Sequence, residues 1–291
     1  MIKWRGIEFR LHPLFVLVML ASVATGRFLE LAVLFLIVLI HELGHVAVGI
    51  GFGWTFKEVK LLPFGGVAEV EEAGALPARE EAWVAIAGPL QNVWLGAAGW
   101  LAGQAGWVDA AWAHEFVRAN LLVCCFNLLP ILPLDGGKLL QAWISLYVPF
   151  HRTLVWCARI SLAFSAAIVA ASFVPLLYGD LLQLNLLAIG LFLCYSNWHH
   201  LRSVPYLFLR FLMHRASRSE RHFDTGVLAR PIVISESRPV SAALRLFMKE
   251  GYHLVYVMKR GRIAKVVPEG AVIEGILSRL TPGNADFRFF M

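Results

Sequence analysis

Six stretches of this chain stay apolar for about as long as a bilayer is thick, which excludes most soluble folds. They cover residues 11–26, 28–52, 82–105, 117–147 with an interruption, 153–177 and 180–199, against the roughly 20 apolar residues that a membrane-crossing helix needs. Only 16% of the 291 residues are charged, where a soluble domain carries about 25%. The pattern predicts an α-helical multi-pass membrane protein of about six transmembrane helices over residues 1–200. A basic linker over 201–221 and a small α/β domain over 222–291 complete the expected organisation.

Orientation follows from the basic residues. Lys3, Arg5 and Arg10, then Lys57, Lys60 and Arg79, then Arg152, and finally Arg202, Arg210, Arg215, Arg218 and Arg221 fall on one side of six crossings, and Arg27 and Arg118 on the other. Positive charge gathers on the cytoplasmic face, so both termini are expected in the cytoplasm. Ser22-Val23-Ala24 has the look of a signal-peptidase site, but the chain re-enters the apolar pattern at once, which favours an uncleaved first span.

Two places break the helical pattern. Pro130, Pro133 and Gly136-Gly137 interrupt the fourth span, and broken backbone at membrane depth is tolerated only where protein buries it or water lines it. The run from Leu61 to Val70, with Gly65-Gly66 at its turn, reads as a β-hairpin that dips into the membrane or lies on its surface. An ordinary cytoplasmic hairpin would have the same pattern.

Beyond His222 the signals are Val227 to Ile234 (strand), Val240 to Glu250 (helix), Leu254 to Met258 and Ile263 to Val267 (strands), and Ala271 to Leu280. A domain of that size is marginal alone and is expected to self-associate. The net charge of +6 comes without the aromatic-interleaved basic patch that tracks a phosphate backbone, so no nucleic-acid partner is expected. Cys124, Cys125, Cys157 and Cys194 sit in apolar runs without a CxxC knuckle or a disulfide pattern and read as small buried hydrophobes.

Chemistry is concentrated in His41-Glu42-Leu43-Gly44-His45. An HExxH helix sets two imidazoles one turn apart on one face, with a glutamate beside them to take a proton from water. The apolar run Leu31 to Ile40 leads directly into it, and ionisable groups inside a membrane persist mainly where they serve a function. Catalytic zinc takes three protein ligands and keeps a fourth position open. Asp135, freed by the helix break before it, is the candidate third ligand, and helix N-cap is its plainer alternative. His12, His114, His151, His199 and His200 stand at span ends and His214, His222 and His253 in the tail, none at ligand spacing.

With these residues go Pro63-Phe64-Gly65-Gly66, Ala87-Gly88-Pro89 and the stretch Asn127 to Lys138, which contains Pro133-Leu134-Asp135-Gly136-Gly137. In this order they resemble the site-2 intramembrane zinc metalloproteases over residues 1–200, and among these the sporulation members that remove the pro-sequence of the sigma-K factor. The resemblance implies zinc on His41, His45 and Asp135, with Glu42 as general base. It implies substrate contacts at Asn127, Phe64, Gly65, Gly66 and Pro133, and a C-terminal CBS (cystathionine β-synthase-type) module that senses ATP and contacts substrate. It further implies a pro-sigma factor as protein substrate, two inhibitory membrane partner proteins, and a place in the mother-cell membrane around the forespore. A site-2 protease acting on another substrate, such as an anti-sigma factor, is the alternative. A metal-dependent transporter on the same ligands would show internal repeats, and a scaffold would have no use for Glu42 in lipid.

Overall fold

The computed structural model describes residues 2–4, 7–11, 19, 22–62, 65–70, 76–218 and 228–277. Most of the first expected span, 11–26, lies outside them, as do Pro63 and Phe64. The chain divides into two compact units, Met1–Ala73 with Arg79–Pro130 and Leu134–Leu139, and Gly74–Ala78 with Ile131–Pro133 and Leu140–Met291.

In the first unit, strands β1 (Ile2–Trp4), β2 (Ile7–Leu11), β3 (Phe56–Leu62) and β4 (Gly65–Val70) form one sheet in that order. The expected hairpin is β3–β4, antiparallel, and β2 adds to it in parallel. Between β2 and β3 runs helix α1 (Phe28–Gly51), and β4 lies beside it. Nearly every residue of α1 before His41 is apolar, so hydrophobicity does not choose its inner face. The small and polar residues do: His41, Glu42, Gly44, His45 and Gly49 are buried, while Leu34, Leu36, Leu43 and Ile50 are exposed.

Helix α2 (Ala78–Gln104) contains Pro89, and α3 (Ala110–Asn127) is capped by Asp109, whose Oδ1 accepts from the amides of Ala111 at 2.9 Å and Trp112 at 3.1 Å. Gly44 lets α1 and α2 touch: a Cβ there would lie 2.6 Å from Gln91 Cγ and 2.9 Å from Ala87 O. The expected break in the fourth span is the irregular stretch after α3, and α4 (Asp135–Ser145) follows it.

The second unit holds α5 (Phe150–Ala171) packed along α6 (Leu184–Arg218). Sheet β5 (Ala229–Ser235), β6 (Tyr252–Lys259), β7 (Arg262–Pro268) runs β5–β6 parallel and β6–β7 antiparallel, with helices α7 (Val240–Leu244) and α8 (Glu269–Leu277). Arg260 and Gly261, both at positive φ, form the two-residue turn that matches strand twist. The helix expected over 240–250 stops at Leu244, where the amides of Leu246 and Phe247 turn back onto Ala243 and Leu244 carbonyls at 3.0 Å.

Residues 201–218, expected as a linker, continue α6. Val204, Phe208, Phe211 and Leu212 of this helix, with Phe150 and Leu154 of α5, share one core with Ile232, Ile234, Leu244, Phe247, Val255, Val272 and Ile273. Three strands and two short helices bury too little by themselves, and the long helices supply the missing wall.

One buried ion pair fastens this arrangement. Glu269 accepts from Arg215 Nε and Nη2, from His253 Nδ1 at 3.0 Å and from the His253 amide at 2.8 Å. Arg215 also donates to the carbonyls of Met248, Lys249 and Gly251. Burial alone would raise the Glu269 carboxyl, but the bonds from His253 and Arg215 outweigh it and hold it below its ordinary 4.5. Its stabilising contribution is therefore complete above about pH 4.5 and fades as pH falls through the lower folded value. Arg215→Met strands a buried carboxylate and is expected to cost about 3–5 kcal/mol and to move acid unfolding of this module to higher pH. Hydrogen exchange in β6 and α8 of the full chain measures both, and wild-type protection at every pH would refute it.

Candidate metal centre

His41 and His45 stand one turn apart on α1, and Asp135 opens α4. The structure brings their tips together: His41 Nε2 to His45 Nε2 is 3.2 Å, and each lies 3.1 Å from Asp135 Oδ2. All three residues are buried. A zinc ion with tetrahedral bonds of about 2.0–2.1 Å separates neighbouring donors by roughly 3.3 Å, and the observed triangle fits one face of that tetrahedron.

The opposite ring nitrogens explain which atoms are free to ligate. His45 Nδ1 lies 2.6 Å from the Val84 carbonyl, which only accepts, so Nδ1 carries the proton and Nε2 keeps its lone pair. His41 Nδ1 donates to Asn92 Oδ1 at 2.9 Å, and Asn92 Nδ2 donates in turn to the Asn120 carbonyl at 3.4 Å. With both imidazoles neutral, two lone pairs and a carboxylate oxygen converge there, an arrangement that suits a cation. Lys138 Nζ takes the other oxygen, Asp135 Oδ1, at 3.2 Å, which leaves Oδ2 for the triangle.

Both partners come from α2, and so does the space. A Cβ on Gly88 would lie 2.3 Å from His45 Nε2 and 2.7 Å from His41 Nε2. Behind Asp135, a Cβ on Gly136 would lie 2.2 Å from Leu128 O and 2.4 Å from Leu129 O, so the first turn of α4 rests directly on the preceding carbonyls. Glu42 is buried next to His41 on α1.

The remaining sequence candidates divide. Asn127 closes α3 with its Nδ2 bonded to Val123 O at 3.1 Å, Gly65 and Gly66 begin β4, Pro133 is exposed, and Phe64 is outside the described residues. Asn92, Val84 and Gly88 went unassigned in the sequence reading. Asn92 had a signal, an amide inside the apolar run 82–105; a backbone carbonyl has none. Asn92→Ala is expected to weaken zinc binding about 10–100-fold, read by competition with a chelator of known affinity, and unchanged binding would exclude the orienting role.

Among the described residues two helices, Phe28–Gly51 and the stretch Phe150–Tyr178, are long and apolar enough to cross a membrane. Only 28% and 17% of their apolar windows are buried, unlike core helices of a soluble protein. Residues 29–113 match the family described as Peptidase family M50. The chain belongs to that family, the site-2 proteases, and is an intramembrane zinc metalloprotease.

Among particular relatives, it is 34% identical over 273 residues to Stage IV sporulation protein FB of Bacillus subtilis, covering 93% of this chain and 92% of that one. A zinc metalloprotease of Methanocaldococcus jannaschii is 29% identical over 197 residues, covering 64% of this chain and 55% of that protein. The solved site-2 protease from Methanocaldococcus jannaschii superposes with a TM-score of 0.55 at 25% identity, covering 69% of this chain and 94% of that one.

Proposed function

We propose that this chain hydrolyses a peptide bond of a membrane-associated protein at a zinc ion held by His41, His45 and Asp135, with Glu42 as general base. The observation that carries the proposal is the 3.1–3.2 Å triangle of His41 Nε2, His45 Nε2 and Asp135 Oδ2. Zinc, when bound there, supplies Lewis acidity that makes water nucleophilic near neutral pH and polarises a carbonyl. Glu42 takes the proton from the attacking water and passes it to the leaving amine. Asn92 and the Val84 carbonyl keep both imidazoles in the ligating tautomer, and Lys138 turns Asp135.

A helical substrate hides its carbonyls and must be drawn out before cleavage. Among the described residues β4 pairs with β3 on one side only and runs beside α1, which supports pairing of an extended substrate strand with its free edge. Gly65, Gly66, Asn127, Phe64 and Pro133 are proposed to contact that substrate.

The likeness to Stage IV sporulation protein FB supports a pro-sigma factor as substrate, in a six-span membrane domain with cytoplasmic termini. The order β5-α7-β6-β7-α8 supports a single CBS-type module at the C-terminus, the proposed place for ATP and for association between copies. The inhibitory membrane partners and the mother-cell membrane around the forespore belong to the same reading.

Purified chain in detergent, incubated with a tagged pro-sigma factor or a tagged anti-sigma factor, tests the substrate. Cleavage of the first and not the second is expected, and the reverse would redirect the assignment. Proline at Val67 or at Ala68, one of which carries the outward N–H of β4, is expected to cut cleavage at least about tenfold, the loss of one strand bond and the steric block together. Full cleavage by both variants would discard strand pairing.

A further inference from the structure

Asn92 meets His41 on one side and α3 on the other, all within the first unit, and the α3 side decides which way its amide points. The Asn120 main-chain carbonyl only accepts, so the end of the amide that faces it at 3.4 Å is Nδ2. The other end, 2.9 Å from His41 Nδ1, is therefore Oδ1, which also only accepts. His41 then carries its proton on Nδ1 and turns the lone pair of Nε2 to the triangle. Reversed, the same amide would present N–H to Nδ1, and the ring proton would move to Nε2, where a cation needs the lone pair.

The Asn120 side chain takes no part in this, because its Nδ2 donates to the Phe116 carbonyl of its own helix at 2.9 Å. What matters is how near α3 stands. A separation of 3.4 Å is already at the long end for N–H···O bonds, so a retreat of about 0.5 Å ends the contact.

Small residues on α2 set that approach. A Cβ on Gly99 would lie 2.5 Å from Phe116 Cδ1, whose ring is stacked on Trp112, and one on Gly103 would lie 2.7 Å from Ala113 Cβ, which moves only with its backbone. Nearer the site, Cys124 Sγ donates to the Pro89 carbonyl at 3.7 Å. Gly96 differs from the other two glycines: a Cβ there would lie 3.7 Å from Asn120 Cβ, an ordinary contact.

We infer that Gly99 and Gly103 are positioning residues for His41: by letting α3 come within reach of Asn92 they fix the direction of its amide, and with it the nitrogen that ligates. The inference rests on His41 being a ligand. A seam of small residues that merely joins two helices in lipid would affect stability and leave the metal's surroundings alone.

The test uses the full chain in detergent, stripped of metal, then titrated with zinc against a competing chelator and loaded with cobalt for its visible absorption. Gly99→Ala is expected to weaken zinc about tenfold, the scale of a lost outer partner, and to shift the cobalt bands. Gly103→Ala is expected to act in the same direction, and it decides alone should Gly99→Ala not accumulate. Gly96→Ala, closer to Asn92 but with room for its methyl, is expected to keep wild-type affinity and bands. In an Asn92→Asp background Gly99→Ala is expected to cost less than about twofold, because a carboxylate accepts at either oxygen and has no direction to set. Wild-type zinc affinity and bands in Gly99→Ala and Gly103→Ala would overturn the inference, and so would an undiminished loss in the Asn92→Asp background. Failure of the unmodified chain to take up zinc would overturn the ligand set itself.

Discussion

Glu42→Gln is expected to lower the cleavage rate at least about a hundredfold while the purified protein keeps its zinc. Glutamine has the shape of glutamate and the same place on α1, one residue from His41, but it does not accept the proton of the attacking water. A positioned general base contributes about 10²–10⁴ in rate, so the loss should appear in turnover. The three proposed ligand atoms belong to other residues, so metal content should hold. Cleavage at the wild-type rate would remove Glu42 from the mechanism. Loss of zinc together with cleavage would make it a structural residue.

Gly88→Ala is expected to reduce bound zinc below about a tenth of the wild-type content and to abolish cleavage with it. The added methyl would lie 2.3 Å from His45 Nε2, 2.5 Å from its Cε1 and 2.7 Å from His41 Nε2. Neither ring can swing away freely, because Val84 O and Asn92 Oδ1 hold their far sides. Close-packed interiors accommodate such an intrusion only by shifting backbone, and the movable backbone here is the helix that orients both imidazoles. Gly51→Ala is the matched control, since a Cβ there has nothing within 4 Å, and it should bind zinc and cleave normally. Metal analysis of the two purified variants checks this, and full zinc in Gly88→Ala would show that the helices part without harm.

The site's first layer was legible in the sequence because it follows rules of spacing. His41 and His45 are one helical turn apart in an apolar run, and Asp135 follows two prolines. The layer behind it was not legible. The partner of His45 is a main-chain carbonyl, and the clearance at Gly88 depends on how near two helices come, which neither composition nor period encodes. In the fold, residues 201–218 read as a linker because Arg202, Arg210, Arg215 and Arg218 dominate the eye. Val204, Phe208, Phe211 and Leu212 recur at helical spacing among them and mark a buried face. Strands β1 and β2 are three and five residues long, too short for alternation to show before the apolar run that follows.

The two imidazoles are held by partners of different kinds, and this gives them unequal exposure to genetic accident. Asn92 is a particular codon, and a single base change can remove the amide that aims His41. The carbonyl at position 84 is present whatever amino acid is encoded there, so no missense change at that position deletes the acceptor for His45. In a library of random variants, losses of zinc arising outside the proposed ligands should therefore gather on the His41 side of the site, while replacements at buried position 84 that fit the room of a valine keep the acceptor.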